Sequence, residues 1–360
     1  MHLIVTRTFP PEVGGMQNLM YGLAKSLAEN VMIKVFADQY PNQYNFDKEL
    51  SFSIERVGGP KIFKKYRKAN LVNTYLENNR KVKAVISDHW KSLENIKTNV
   101  KKICLIHSKE INHKKNSFIN KRLVKILNNC HTVVANSNFT KNLAVSVGVD
   151  ENNIKVINPG VFPIDKIDEK IYKSIKKKLE NRTPKLITIA RFDKRKNHEK
   201  IIMALRNLKE MYPNIIYICI GQGENIDNLK KLITELKLQN HVMFPNNLTK
   251  DEKNSYLKCS DVFVMPSITY KKSVEGFGIV YVEAAQFGVP SIGGKDGGAS
   301  DAIDHDQTGY ICDGNSLDDI YQSISKILEN NKYKVFGRKA EEASKKFYWS
   351  EIIKKYLEIL

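Results

Sequence analysis

Short apolar runs recur along the whole chain, each followed by a longer stretch with helical spacing, and this alternation constrains the fold more than any single motif. In the first half the runs are Leu3-Ile-Val5, Ile33-Lys-Val-Phe36, Ala84-Val-Ile86, Ile103-Cys-Leu-Ile106, Thr132-Val-Val-Ala135 and Ile154-Lys-Val-Ile157. The second half continues with Leu186-Ile-Thr-Ile-Ala190, Ile215-Ile-Tyr-Ile-Cys-Ile220, His241-Val-Met-Phe244, Val262-Phe-Val-Met265 and Ser291-Ile292. Strands that alternate with helices return in parallel, so the pattern predicts an α/β fold of two doubly wound parallel sheets. A chain of 360 residues is also long for one core, which agrees with two domains. The polar stretch Ile164-Asp-Lys-Ile-Asp-Glu-Lys170 and the basic helix before Thr183-Pro184 put their boundary between residues 160 and 184.

Net charge is +19, and its distribution is more informative than its size. Residues 61–125 hold 18 Lys and Arg against four acidic residues. Within them, Lys61-Ile-Phe-Lys-Lys-Tyr-Arg-Lys68 interleaves cations with apolar and aromatic side chains. Such a surface suits anionic lipid headgroups, with nucleic acid as the competing partner and plain lysine richness as the third reading. No apolar run approaches the roughly 18 residues of a membrane span, and Met1 leads directly into a strand, so the expected location is intracellular. The five cysteines are scattered without C-x-x-C spacing and read as reduced packing residues.

Candidate chemistry gathers where strands end. Asp261 to Pro266 reads as a buried strand, Glu275-Gly-Phe-Gly-Ile-Val-Tyr-Val-Glu283 follows it, and a helix ends at Gly288. Open α/β sheets bind ligands at the carboxyl ends of their strands, and Gly276 and Gly278 permit close approach of a phosphate. If a helix connects Glu275 to Glu283, the carboxylates stand about 12 Å apart along it and address two ends of an extended ligand. Phe9-Pro-Pro-Glu-Val-Gly14-Gly15 follows the first strand and opens a helix, a place for a phosphate-approaching loop or simply a tight turn. His107 stands just beyond a strand, with Glu110 near enough in sequence to orient it. Arg191 and Lys196 occupy a strand-to-helix turn suited to a diphosphate, and Gly221-Gln-Gly223 forms a turn on the same edge.

With these residues assembled, the chain resembles the retaining glycosyltransferases of family 4, whose GT-B fold sets two Rossmann-like domains facing across a cleft. The nearest likeness is to the bacterial phosphatidylinositol mannosyltransferase branch, carried by Phe9 to Gln17, Asn158-Pro-Gly-Val161 and Val274 to Glu283. The resemblance implies an acceptor-side domain at 1–165, a nucleotide-sugar domain at 166–345, and a closing helix at 346–360 that packs back on the first. It implies that Gly14 and Gly15 lie beside the donor phosphates and that His107 approaches the transferred sugar. Arg191 and Lys196 then hold the diphosphate; the Gly223 turn, by its own place on the strand edge, is expected near the nucleotide. Glu275 contacts the sugar hydroxyls, Gly276, Phe277, Gly278 and Ile279 offer backbone amides, and Glu283 binds the ribose. The chain departs from that branch at Lys109, where a second histidine is usual, and at Asp301, where a glutamate is usual, and both departures bear on the acceptor.

The implied reaction moves a hexose, mannose first, from a nucleotide diphosphate sugar (GDP-mannose or a UDP-sugar) to a hydroxyl of a glycan or lipid-linked acceptor. Leaving-group stabilisation would dominate, and no cofactor or metal is expected. The expected setting is the cytoplasmic face of a membrane, held through residues 61–125, with no nucleic acid bound. The competing readings are a nucleotide-sugar epimerase or phosphorylase of similar fold, or a basic nucleic-acid-binding protein.

Overall fold

A computed structural model describes residues 1–360, the side chain of Lys61 excepted. The chain forms two compact units, Met1–Phe162 with Phe347–Leu360, and Pro163–Lys346. The first contains strands β1 (His2–Val5), β2 (Ile33–Asp38), β3 (Ser53–Val57), β4 (Ala84–Ser87), β5 (Lys101–Ile106), β6 (Thr132–Ala135) and β7 (Ile154–Val156). They pair in parallel in the order β3-β2-β1-β4-β5-β6-β7. The second contains β8 (Lys185–Ile189), β9 (Ile216–Ile220), β10 (Val242–Met243), β11 (Val262–Met265), β12 (Ser291–Gly294) and β13 (Gly309–Cys312), parallel in the order β10-β9-β8-β11-β12-β13. Each unit is therefore a Rossmann-like sheet, as the alternation predicts.

The central strands are legible because helices cover both faces of a parallel sheet, so every residue of β1, β9 and β11 is buried and the runs are apolar apart from His2. Two strands escape that criterion, and both lie at sheet edges. β3 (Ser-Ile-Glu-Arg-Val) is mostly half-buried and carries two charges. β13 begins on Gly309, where a Cβ would stand 1.9 Å from the Ser291 carbonyl oxygen, so its short run starts with a residue that gives no apolar signal.

In both sheets the strand order reverses beside the first strand. The switch points lie between β1 and β4 and between β8 and β11, where the two outgoing connections leave on opposite faces and open a crevice at the carboxyl edge.

The chain returns to the first unit through its last residues. Val161 N–H donates to the Phe347 carbonyl at 2.8 Å and Trp349 N–H to the Val161 carbonyl at 3.0 Å. Helix Trp349–Ile359 buries Trp349, Ile352, Ile353 and Tyr356 against helix Gly15–Ala28. Gly22 and Gly160 make room for the indole, because a Cβ at either would stand within 2.4 Å of it. The sequence reading set the divisions at 165 and 345; the units part at Phe162/Pro163 and Lys346/Phe347.

Candidate functional site

The second unit concentrates charge at its switch point. β8 runs into a 3-10 turn, Lys194–Lys196, whose start is capped by the Asp193 side chain accepting from Lys196 N–H. Asn197 adopts a left-handed conformation, and its amide donates to the Pro266 and Gly314 carbonyls at 2.9 and 2.7 Å. Ile268 N–H donates to the Arg195 carbonyl at 3.0 Å. These bonds clamp the turn against the end of β11 and fix the direction in which Arg195 and Lys196 project.

Both cations meet one carboxylate oxygen. Arg195 Nη1 lies 2.6 Å from Glu275 Oε2, and Lys196 Nζ contacts the same atom. Burial by itself raises the Glu275 pKa, but the charges and hydrogen bonds of Lys196 and Arg195 overcome it and hold the group at about 2. The Lys196 ammonium is pushed below its ordinary value by burial, against the pull of Glu275. With Glu275 ionised and both cations charged, the buried cluster holds one positive charge more than its own carboxylate balances. An uncompensated buried charge is expensive, and an anion that settled there would relieve it.

Glu275 itself is held from behind. Gly298 N–H donates to its carbonyl at 2.9 Å, and a Cβ at Gly297 would stand 2.2 Å from that oxygen. The Gly297-Gly298 turn thus requires glycine for close backbone approach. Gly278, at φ 85°, ends the loop and starts helix Ile279–Ala285, and Phe277 is buried. Only that segment is helical, so the helix assumed between Glu275 and Glu283 is absent over its first half, and the expected rise of two full turns does not apply. Glu283 is paired one-to-one with Lys253 at 3.3 Å, outside the Arg195–Lys196–Glu275 cluster.

Arg191 does not join the cluster either. Its side chain is 76% exposed and lies 3.5 Å from Asp193. The cation that accompanies Lys196 is Arg195, which the sequence reading passed over; the spacing that singled out Arg191 and Lys196 ignored that the intervening turn is 3-10, which swings its last residues inward. Gly223 packs on the same loop, where a Cβ would stand 2.5 Å from the Phe192 carbonyl oxygen.

The switch point of the first unit is built from different groups. Asp88, the first residue after β4, accepts through Oδ2 from Thr6 Oγ1 at 2.8 Å, Arg7 N–H at 3.1 Å and Thr8 Oγ1 at 3.1 Å. Arg56 donates to the Pro10 carbonyl at 2.6 Å and pairs with Asp47, steadying the same loop as it runs to Gly14 and Gly15. Gly14 precedes helix Gly15–Ala28, and Gly15 opens it with free space where a Cβ would point.

His107 follows β5 as expected, but Glu110 accepts from its backbone N–H, at 2.5 Å, and acts on the imidazole through its charge. The His107 pKa is lowered by burial, against Glu110 and Asp88. Asp88 Oδ1, His107 Nε2, Ser108 Oγ and Asn136 Oδ1 are all buried without a hydrogen-bond partner among the described residues. They come from the ends of β4, β5 and β6, three neighbours in the sheet. Position immediately beyond an apolar strand, the criterion that selected His107, would also have found Asp88 and Asn136.

Comparison with known proteins gives the family and the fold. The glycosyl transferases group 1 profile matches residues 170–343, and the glycosyltransferase family 4 profile matches residues 13–163. A GDP-mannose-dependent alpha-(1-6)-phosphatidylinositol monomannoside mannosyltransferase of Mycobacterium tuberculosis is 31% identical over 40% of this chain, a match that spans only 38% of that relative. The enzyme of that name from Mycolicibacterium smegmatis is 24% identical over 91% of this chain and 88% of its own length. In fold, the chain matches Anabaena Alr3699/HepE in complex with UDP at a TM-score of 0.83, with 18% identity over 99% of this chain and 98% of that one. The chain belongs to the glycosyltransferases of family 4, with the two Rossmann-like domains of the GT-B class.

Proposed function

We propose that the protein transfers a hexose, mannose first, from a nucleotide diphosphate sugar to a hydroxyl of a glycan or lipid-linked acceptor, with retention of anomeric configuration. The observation that carries this reading is the buried excess of positive charge formed by Arg195, Lys196 and Glu275 at the β8/β11 switch point. A diphosphate supplies the missing negative charge, and more of it develops on the leaving group as the glycosidic bond breaks. Preorganised cations at that position favour the transition state over the bound substrate. They do so without a metal, and unchanged turnover in excess chelator is the expected result.

Glu275 suits the role of a sugar-positioning group. A carboxylate pinned by two cations and held at about 2 is a weak nucleophile, which agrees with front-face attack by the acceptor and not with a covalent adduct. Arg191, exposed in the free protein, would close on the phosphates when the donor binds. Glu283 would exchange Lys253 for the ribose hydroxyls, and His107 would approach the sugar. Gly14, Gly15, Gly223 and Gly276 to Ile279 would give backbone access. The GDP-mannose dependence of the named mycobacterial relatives supports mannose, and the UDP complex of the structural neighbour keeps UDP-sugars in the panel.

The acceptor side draws on the basic segment. Helix Lys61–Asn78 exposes Ile62, Phe63 and Tyr66, and helix Phe118–Asn128 exposes Phe118, at 75%. Apolar side chains among 18 cations suit an anionic membrane surface, and among the described residues no helix is long and apolar enough to cross a membrane. Peripheral attachment at the cytoplasmic face is the setting proposed.

Thermal melting with a panel of nucleoside diphosphates and nucleotide sugars tests the donor. A ligand at about 100 times its Kd adds about 2.7 kcal/mol, so GDP or UDP should raise Tm clearly. Glu283→Ala should abolish the shift. No shift with any nucleotide would refute the reading.

A further inference from the structure

A recess of about 350 Å³ lies on the first unit, away from its switch point, between Leu93-Glu94 and the C-terminal half of helix Phe118–Asn128. Lys102, Arg122 and Lys125 line it together with Glu94, and Leu93 and Ile126 contribute apolar surface. Its volume is that of a small ligand site. Glu94 is already committed. Its Oε1 accepts from Arg122 Nε at 3.0 Å and from Nη2, and Lys65 lies 3.5 Å from Oε2. Burial raises the Glu94 pKa, and the bonds and charges of Arg122 and Lys65 more than reverse that. Lys102 and Lys125 have no carboxylate partner among the described residues. Three cations thus line a concave surface whose one carboxylate is already paired with Arg122 and approached by Lys65, and the surplus focuses positive potential on its interior.

We propose that this recess seats the phosphate of an anionic lipid headgroup. The phosphate would lie between Lys102 and Lys125, with the apolar wall formed by Leu93 and Ile126 against the headgroup's carbon skeleton. A freely soluble phosphate ester has the same charge, but the surroundings of the recess favour the lipid. Phe118 is exposed beside Arg122, whose guanidinium lies 5.5 Å from its ring, and Lys65 stands 4.6 Å from the ring of exposed Tyr66. Side chains of that kind enter a membrane interface and have no use for a small anion in water. The choice of lipid as the source rests on the membrane reading above; the recess as a phosphate seat does not.

The test uses the full chain and two double variants of equal charge change. Lys102→Gln/Lys125→Gln empties the recess of its free cations, whereas Lys230→Gln/Lys231→Gln removes two exposed lysines from the second unit. Co-sedimentation is measured with phosphatidylcholine vesicles, with and without phosphatidylglycerol, and binding of inorganic phosphate and of dihexanoyl-phosphatidylglycerol by calorimetry. Wild type and the second-unit variant should bind the anionic vesicles and the short-chain lipid. The recess variant should lose about 30-fold on vesicles, the effect of two cations at about 1 kcal/mol each, and all measurable short-chain binding.

Equal weakening of both variants would overturn the seat and leave diffuse surface attraction. Unaltered short-chain binding by the recess variant would overturn it too, even with vesicle binding intact. If inorganic phosphate binds through Lys102 and Lys125 while no variant sediments with vesicles, the lipid is overturned as the source, and the membrane reading with it. Displacement of the protein from vesicles by RNA through the same two lysines would likewise overturn the lipid assignment.

Discussion

The two units share a strand order around the first strand, β3-β2-β1-β4-β5-β6 in one and β10-β9-β8-β11-β12-β13 in the other, yet their switch points carry opposite chemistry. Between β8 and β11 two cations crowd one carboxylate, and the surplus is positive. Between β1 and β4 a carboxylate gathers neutral hydroxyls and a backbone amide, and its neighbours include histidines whose burial lowers their pKa, His89 to about 3. On the function proposed above, the first place takes an anion and its counterpart a group with hydroxyls to donate. The fold provides the crevice; the first few residues beyond each strand decide what enters it.

Glu275→Gln should break the contrast most severely. Removing the charge leaves Arg195 and Lys196 buried with no counter-charge, at a cost of about 3 to 5 kcal/mol in the free protein. Chemical denaturation with and without a nucleoside diphosphate reads the effect, and the diphosphate should stabilise the variant more than wild type. The pH dependence has a definite sign. The folded pKa of Glu275, about 2, lies below the ordinary glutamate value of 4.5, so its contribution is present above pH 4.5 and is lost as pH falls toward 2. The variant should lack that portion of the acid sensitivity. If it melts like wild type at neutral pH, the buried cluster is not electrostatically strained.

Lys196→Ala attacks the same cluster from the other side. Arg195 and Glu275 remain as a one-to-one pair, so the melting temperature should stay at or above wild type. Turnover should fall about 10²- to 10³-fold, the usual cost of losing one preorganised donor to developing charge. Opposite movement of stability and turnover distinguishes a charge held for a ligand from one held for the fold. Wild-type turnover would refute the role given to Lys196.

How far these features could be read in advance follows burial. Central strands announced themselves because both faces are covered; β3 did not, because it is mostly half-buried and carries two charges, and β13 did not, because its four-residue run starts on glycine. Lys196 and Glu275 were found from their place beyond strands, but their pairing was not, since it depends on Asn197 and the Gly297-Gly298 turn, which join segments far apart in sequence. Arg195 was passed over for Arg191 for the same reason: in the chain they are equivalent basic loop residues, and only the 3-10 turn buries one and leaves the other in water. Asp88 stands just beyond an apolar strand and was legible by that criterion; its three hydrogen-bond partners, some 80 positions away, were not.

Asp88→Asn sharpens the other half of the comparison. Asparagine keeps one oxygen for Thr6, Arg7 and Thr8, so the loop should stay in place, while the unpartnered Oδ1 becomes an amide that can only donate. The expected outcome is a rise of about tenfold in KM for the acceptor, the scale of one hydrogen bond to a charged group, with the nucleotide-induced Tm shift unchanged. A loss of nucleotide binding instead would show that the two switch points do not divide the substrates as proposed.

The smallest effect is expected at Arg191. Its guanidinium is largely in solvent and its ion pair with Asp193 is a surface one, so Arg191→Ala should alter stability by less than about 0.5 kcal/mol. Activity is the informative readout. If Arg191 closes on the donor phosphates, the variant loses turnover although the free protein is unaffected, and the loss is larger for a diphosphate sugar than for spontaneous binding of the nucleoside alone. If turnover is retained, the buried Arg195–Lys196 pair suffices for the leaving group, and the anion-binding character of the second switch point resides wholly in residues already in place before any ligand arrives.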